Sequence, residues 1–335
     1  MEPGILGIIA NPASGKDIRR LVAHAAVVTD AAKRGILRRL LAGVAAIDTP
    51  QVHYLPGPHR LVEEALEPLQ SLLPAHSLPI DLTDSALDTR AAARLLRERG
   101  AGAVVVLGGD GTCRAAAAAW PQIPVLPLST GTNNVFPLTC EPTVAGIAAA
   151  LVATGRVPLQ DAARQHPCIL VEVDDEPPDL ALVDAALVTD RFSGARAVWK
   201  PAELAAALLL RSDPAVTGLA AIGGMLGLPE PAGGALALEF GGPGHTVRVP
   251  LAPGLVVPLA VRTHRPIAFG EPIEWYGPGI LALDGERERR LLPGQRARLL
   301  PCSRGPFVLE PGRILRQAAA AGLFAEAPAG ANHAD

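Results

Sequence analysis

The sequence predicts an α/β protein in two parts: an N-terminal doubly wound parallel-sheet domain and a C-terminal β-sandwich-like domain. Three observations lead there. Up to about residue 160, short apolar β-branched runs alternate with alanine-rich or amphipathic helical segments, the pattern of a parallel sheet wrapped by helices. From Cys168 onward the pattern changes to period-two segments punctuated by turns roughly every ten residues. With 335 residues, 49% of them hydrophobic, the chain is long enough to build two cores. The expected divisions are 1–160 for an α/β domain, 161–310 for a β-rich domain, and 311–335 for a C-terminal helix and tail.

The first strand, Ile5 to Ala10, ends in Asn11-Pro12-Ala13-Ser14-Gly15-Lys16. Gly7 and Gly15 stand too far apart for a P-loop, and Asp17 occupies the place of its Ser or Thr. Asn11, Ser14 and Lys16 can still reach a phosphate, although Asn-Pro and Ser-Gly are also plain turn formers. Residues 31–47 read as a helix with Arg38 and Arg39 on a solvated face, 52–55 as a strand, 61–73 as a helix, and 80–82 as a further strand. A helix over 89–100, stopped by glycine, delivers the chain into the segment around which the rest is organised.

That segment is Ala103 to Trp120, a buried strand running into Gly108-Gly109-Asp110-Gly111-Thr112 and then an alanine-rich helix. Gly108, Gly109 and Gly111 admit backbone conformations closed to other residues and let main-chain N–H groups approach a ligand. Thr112 is a candidate cap for a helix whose first turn favours phosphate. Asp110 repels phosphate unless it meets a metal or a hydroxyl that must lose its proton, and a phosphoryl acceptor needs both kinds of help. A third strand, Ile123 to Leu128, ends in Ser129-Thr130-Gly131-Thr132-Asn133-Asn134, small side chains suited to phosphate and ribose oxygens. In a doubly wound sheet ligands gather at the carboxyl ends of strands, so the three loops are expected to form one site. A helix over 143–155 closes the first domain.

In the second domain, 168–175 and 180–190 read as a hairpin across Glu176-Pro177-Pro178-Asp179. A helical insert over 202–211 and a glycine-rich stretch over 223–227 follow. Strand-like segments come next at 235–240, 245–250, 255–262, 279–285, 296–301 and 307–310, and a helix over 312–324 comes last. Asp284-Gly285 between β segments is a strong hairpin signal, and Asp284 with Glu286 is also a carboxylate pair able to hold a metal or take a proton.

Composition narrows the partners. A formal charge of −3 and an aromatic content of 3% leave neither a basic face nor stacking platforms for nucleic acid. Cys113, Cys140, Cys168 and Cys302 lie far apart, without metal-ligand spacing or a paired look, which suits a reducing cytoplasm. The histidines, among them His24, His53 and His166, are scattered without helical pairing. The opening residues lack the basic start of a signal peptide, and no apolar run approaches the ~20 residues of a bilayer span. The expectation is a cytoplasmic protein without stable membrane association.

Taken together, the Asn11–Gly15 loop, GGDGT at 108–112, STGTNN at 129–134 and DGE at 284–286 resemble the NAD kinase and diacylglycerol kinase superfamily over almost the whole chain. More narrowly, GIIANPASGKDIRR, VLGGDGT, STGTNNVFP, SGARAVWK and ALDGERE are similar to the acetoin catabolism protein X family. The resemblance implies ATP-dependent phosphorylation of a hydroxyl with Mg²⁺, the acceptor being NAD or a related small dinucleotide. Asp110 and Glu286 would then be catalytic and Asp284 a metal ligand. Asn11, Ser14, Gly108, Gly109, Gly111, Thr112, Thr130, Gly131, Thr132, Asn133 and Asn134 would hold the nucleotide. The counterpart of the Asn-Glu pair of NAD kinases is Val183-Asp184, which makes Asp184 the acceptor-binding candidate. The alternatives are a lipid kinase of the diacylglycerol or sphingoid kind, and a non-catalytic nucleotide-binding regulator of acetoin catabolism. A homo-oligomer is a further expectation.

Overall fold

The computed structural model of the protein describes residues 4–15, 28–47, 49–130, 134–174, 176–189 and 201–325. Lys16, Gly131, Thr132 and Asn133 lie outside the described residues. Strands β1 (Ile5–Ala10), β2 (Gln51–Tyr54), β3 (Ala75–Ser77), β4 (Ala103–Gly108) and β5 (Pro124–Ser129) pair in parallel in the order β3-β2-β1-β4-β5. Helices α1 (Asp30–Ile47), α2 (Leu61–Leu66), α3 (Ala86–Glu98), α4 (Asp110–Ala119) and α5 (Pro142–Ala153) connect them and follow β5. β4 is buried from end to end: Ala103, Val105 and Leu107 face a core shared with α1, α2 and α5, while Val104 and Val106 face α3 and α4. That double burial is why the strand reads as an unbroken apolar run.

The chain then forms α6 (Leu159–Ala162) and β6 (Ala163–Gln165) before entering the β-rich part. There β7 (Cys168–Val173), β8 (Asp179–Ala181), β9 (Asp184–Val188), β10 (Leu204–Leu209), helix α7 (Ala220–Met225), β11 (Gly234–Ala252), β12 (Leu255–Ala268), β13 (Ile273–Tyr276), β14 (Gly279–Leu283), β15 (Glu286–Leu291) and β16 (Arg296–Cys302) build two antiparallel sheets. Their orders are β12-β11-β10-β9-β14-β15 and β13-β16-β7-β8. Ile169, Val171, Leu208, Leu281 and Leu299 are among the side chains packed between them, which makes the pair a sandwich. The chain returns as β17 (Phe307–Leu309), parallel to β5 and antiparallel to β6, and ends in α8 (Pro311–Ala320) on the face that carries α1 and α5. No helix among the described residues is long and apolar enough to cross a membrane.

Several local expectations give way to tertiary context. Residues 204–209 (LAAALL) favour a helix by propensity, yet they form a strand because β9 and β11 flank them and satisfy both edges. The glycine-rich stretch over 223–227, to which composition assigns no element, overlaps helix α7 over Ala220–Met225. The helix expected over 61–73 stops at Leu66 and tightens into a 3₁₀ turn over Glu67–Leu69, where Pro68 cannot continue the ladder. The edge strand is Ala75–Ser77 rather than 80–82, where the Ile80 N–H turns back to the Leu78 carbonyl. The segments 235–240 and 245–250 are one long strand, its register shifting between Phe240 and His245. Residues 180–190 are not one strand either: the chain leaves the four-stranded sheet after Ala181 and joins the six-stranded sheet at Asp184. Finally, Cys168 and Cys302, distant in sequence, are register partners between β7 and β16.

One buried charge cluster ties the first sheet's helices to the sandwich. Asp179 of β8 receives Arg90 of α3 at 2.9 Å and Arg114 of α4 at 3.1 Å, with Arg289 of β15 at 3.5 Å. The side chains of Asp179 and Arg114 are 4% and 3% exposed. Burial acts to raise the Asp179 carboxyl, but Arg114, the Leu180 N–H and Arg90 outweigh it and hold the group below its ordinary value. Its contribution to stability is therefore present above pH 3.8 and lost as the pH falls below it. Asp179→Asn deprives the Arg114 guanidinium of this counter-charge and is expected to cost ~3–5 kcal/mol at neutral pH, read by urea unfolding. The difference from wild type should shrink toward pH 3.

Candidate active site

The centre of the site is the β4–α4 corner. Gly108 ends β4, Gly109 is the extended N-cap residue of α4 (φ −110°, ψ −171°), and the helix begins at Asp110. The expectation for these glycines changes in kind, because Gly108, Gly109 and Gly111 are not among the residues with positive φ. What the corner requires is the missing Cβ. A Cβ on Gly108 would lie 2.6 Å from the Thr112 hydroxyl oxygen, and one on Gly111 would lie 2.8 Å from a carboxylate oxygen of Glu286. Thr112 is not the cap, since no side chain caps α4; its hydroxyl instead accepts the Asn11 amide at 2.8 Å.

That bond begins the convergence of the loops. The Asn11 N–H donates to the Leu107 carbonyl at 3.0 Å, and the Asn11 side-chain oxygen accepts the Ala13 N–H at 2.8 Å, which closes the turn. Ser14 and Thr130 share a hydroxyl contact of 3.0 Å, and the Thr130 N–H donates to the Gly108 carbonyl at 3.0 Å. Gly15 needs its glycine twice over: φ is +75°, and a Cβ would sit 2.6 Å from the Thr130 carbonyl oxygen. Asn134 donates to the Ser129 hydroxyl at 2.6 Å. The carboxyl ends of β1, β4 and β5 thus form one surface of hydroxyls and amides beside the start of α4.

Two buried carboxylates organise the far side. Asp110 accepts the Val135 N–H at 3.2 and 3.1 Å and the Phe136 N–H at 2.9 Å, so the loop after β5 is draped over it. Asp284 and Gly285 both have positive φ, 50° and 75°, and join Leu283 to its partner Glu286 as a two-residue hairpin turn. The Asp284 side chain turns inward and accepts the N–H groups of Leu182, Val183 and Asp184 at 2.8–3.2 Å. It thereby pins the point at which the chain switches sheets. Burial raises the Asp284 carboxyl to about 6, although Arg114 and the three N–H groups pull the other way. Asp184, also buried, follows at the start of β9 and accepts the Asp284 N–H through its carbonyl at 2.9 Å. The buried Cys113 thiol of α4 is pushed well up by burial first and then by the charges of Asp110 and Asp284.

The turn and the inward carboxylate, which sequence offers as two readings of Asp284, are both present. A metal-ligand role for Asp284 competes with the main-chain donors its oxygens already meet. Among the described residues no group of three or more His, Cys, Asp or Glu side chains is arranged around a common point for a metal. Among the described residues the site therefore offers no all-protein cage for magnesium.

Lys33 is the component that sequence reasoning misses. It is fully buried, and its ammonium donates to the carbonyls of Asn11, Pro12 and Ser14 at 3.2, 2.7 and 2.7 Å, stapling the first loop from beneath. The signal is its register: Lys33 continues the buried stripe of Leu37, Leu40, Leu41 and Val44 on α1, where a lysine has no place unless it meets acceptors. Arg211 is a second such residue, donating to the Val135 carbonyl at 3.0 Å and pairing with Asp213 at 2.8 Å.

Replacing Lys33 with Met leaves three loop carbonyls without their donor and is expected to lower stability by about 3 kcal/mol in urea unfolding. Gly111→Ala should displace the Glu286 carboxylate while circular dichroism and the unfolding midpoint stay near wild type. For Asp284 the folded value lies above the ordinary one, so the native state holds this proton more tightly and the group's contribution weakens as pH rises from 3.8 through about 6. The stability difference between wild type and Asp284→Asn should accordingly move in the variant's favour across that window.

Comparison with known proteins agrees with this architecture. Residues 6–157 match the ATP-NAD kinase N-terminal domain, and residues 167–303 match the acetoin catabolism protein X C-terminal domain. The chain is 39% identical over 303 residues to acetoin catabolism protein X of Cupriavidus necator, covering 85% of this chain and 84% of that protein. Yeast NADH kinase, solved in complex with NADH, shares the fold with a TM-score of 0.52 at 13% identity, over 97% of this chain and 89% of its own. An NAD kinase-like α/β half joined to a sandwich of this family's own type, together with that degree of identity, places the chain in the acetoin catabolism protein X family.

Proposed function

We propose that this chain is a phosphotransferase that moves a phosphoryl group from ATP to an alcohol group of NAD or a related small dinucleotide. The observation that carries the reading is the joining of three loops, through Asn11–Thr112, Ser14–Thr130 and Thr130–Gly108, at one strand end beside Asp110, with Glu286 reaching Gly111 from the second sheet. Main-chain N–H groups at the start of α4 and the hydroxyls of Ser14, Thr112 and Thr130 suit the phosphate chain of a donor. The yeast relative in fold holds NADH, which is consistent with a dinucleotide acceptor.

In this reading positioning and charge do most of the work. An ionised carboxylate has about four lone-pair positions. The Val135 and Phe136 N–H groups meet Asp110 and fix the orientation of its carboxylate at the start of α4, and in this reading that carboxylate receives the acceptor O–H. Glu286, lying against the first turn of α4, is the second acid at the junction and Asp184 the acceptor-side candidate. Magnesium would arrive on the donor's phosphates, as this ion commonly does, and would offset their charge.

A second reading has its own support. Asp110 and Asp284 both engage main-chain donors, an arrangement that would equally hold the fold of a nucleotide-binding regulator without turnover. Purified protein given ATP and Mg²⁺ with NAD, NADH or diacylglycerol in turn separates the readings. Phosphorylated dinucleotide supports the kinase. Phosphorylated lipid would move the assignment to a lipid kinase, and ATP binding without product would favour the regulator. In the first case Asp110→Asn should lower turnover by ~10²–10⁴ while ATP binding is retained; wild-type turnover in that variant would remove Asp110 from the chemistry.

A further inference from the structure

Cys168 opens β7, Cys302 closes β16, and the two face each other in the antiparallel register of these strands. Directly opposed residues of such a pair hold their Cα atoms about 4.5–5.5 Å apart. A disulfide spans Cα separations of roughly 4.4–6.8 Å. After burial, Cys302 is among the groups that raise the Cys168 thiol, as expected of side chains on facing register positions, and both cysteines are free.

Their position is as informative as their spacing. Both crossings between the seven-stranded sheet and the sandwich leave from this pair: Gln165 to Cys168 on the way in, Cys302 to Phe307 on the way back. The crossings are already bonded to each other, His166 N–H to the Pro306 carbonyl at 2.8 Å and Gly305 N–H to the His166 carbonyl at 3.0 Å. His166 meets the Phe136 ring edge-on at 4.8 Å, and Phe136 supplies one of the N–H groups on Asp110. The cysteine pair thus sits beneath the support of the candidate active site.

The two sulfurs are unequal. Cys168 is fully buried, and burial pushes its thiol up to about 12, whereas Cys302 is partly exposed and its sulfur accepts the Arg304 N–H at 3.4 Å. Attack by an external reagent therefore begins at Cys302.

We propose that Cys168 and Cys302 are an oxidative modification site at which a low-molecular-weight disulfide of the glutathione class converts the pair to a cross-strand disulfide. The Cys302 thiolate attacks one sulfur of the reagent, forming a mixed disulfide and expelling one thiolate. The Cys168 thiolate then attacks the Cys302 sulfur, forming the protein disulfide and expelling the second. Two protein thiols are oxidised, one reagent disulfide is reduced to two thiols, and the two protein protons pass to them through solvent.

The test uses the full chain incubated with glutathione disulfide at mildly alkaline pH, followed by thiol titration in denaturant and peptide mapping without reductant. The expected result is loss of two of the four titratable thiols, a peptide linking 168 to 302, and a Tm several degrees higher that returns to its starting value with dithiothreitol. Cys302→Ser should abolish the paired loss and leave its three remaining thiols titratable, while Cys140→Ser should leave the paired loss unchanged. Loss of no thiol, a stable glutathione adduct on Cys302 with Cys168 still reduced, or a disulfide mapped to another pair would each overturn the assignment. Because mapping is done on the wild type, the outcome does not depend on a variant folding.

Discussion

A carboxylate removed from water is tolerated only where donors meet it, and two carboxylates held by main-chain N–H groups set the shape of this molecule. Asp110 gathers Val135 and Phe136 and so decides where the loop after β5 runs. Asp284 gathers Leu182, Val183 and Asp184 and so decides where the chain steps from one sandwich sheet to the other. One acid stands at the start of α4 and the other at a hairpin tip of the sandwich, with Cys113 under the influence of both. The two halves of the fold are therefore registered against each other where the candidate chemistry is located.

Much of the remaining sequence follows from that closeness. Gly111 leaves room for Glu286, Gly108 for Thr112, and Gly15 for the Thr130 carbonyl; a methyl group at any of the three would push a site component away. Lys33 holds the first loop from below through three carbonyls, which sets Asn11 against Thr112 and Ser14 against Thr130. Asp179 with Arg90, Arg114 and Arg289 neutralises charge along the same seam. Such a buried network is sensitive to loss of a single member, because the group left behind cannot rehydrate.

The parallel sheet and its winding were legible because a strand buried on both faces leaves an apolar run such as AVVVL, and a helix over a sheet leaves a 3.6-residue stripe. The three site loops were legible because each is a strand end packed with glycine, hydroxyl and amide groups. The strand Leu204–Leu209 was not, since its composition suits a helix and only the strands on either side give it partners. Nor was the pairing of Cys168 with Cys302, which depends on the register between β7 and β16.

By itself the sequence determined the fold class, the order of its two parts and which corners carry polar, glycine-rich chemistry, because those are properties of local pattern and composition. Only the tertiary structure decided that Gly111 serves the close approach of Glu286 rather than a positive φ, that Thr112 braces Asn11 instead of capping α4, and that Asp284 is both a turn residue and a buried anchor. Each of these depends on a group more than a hundred residues away or on the space it occupies. Lys33 shows the boundary between the two: its place on an apolar stripe is written in the chain, but the three carbonyls that make it tolerable exist only once the first loop has folded over it.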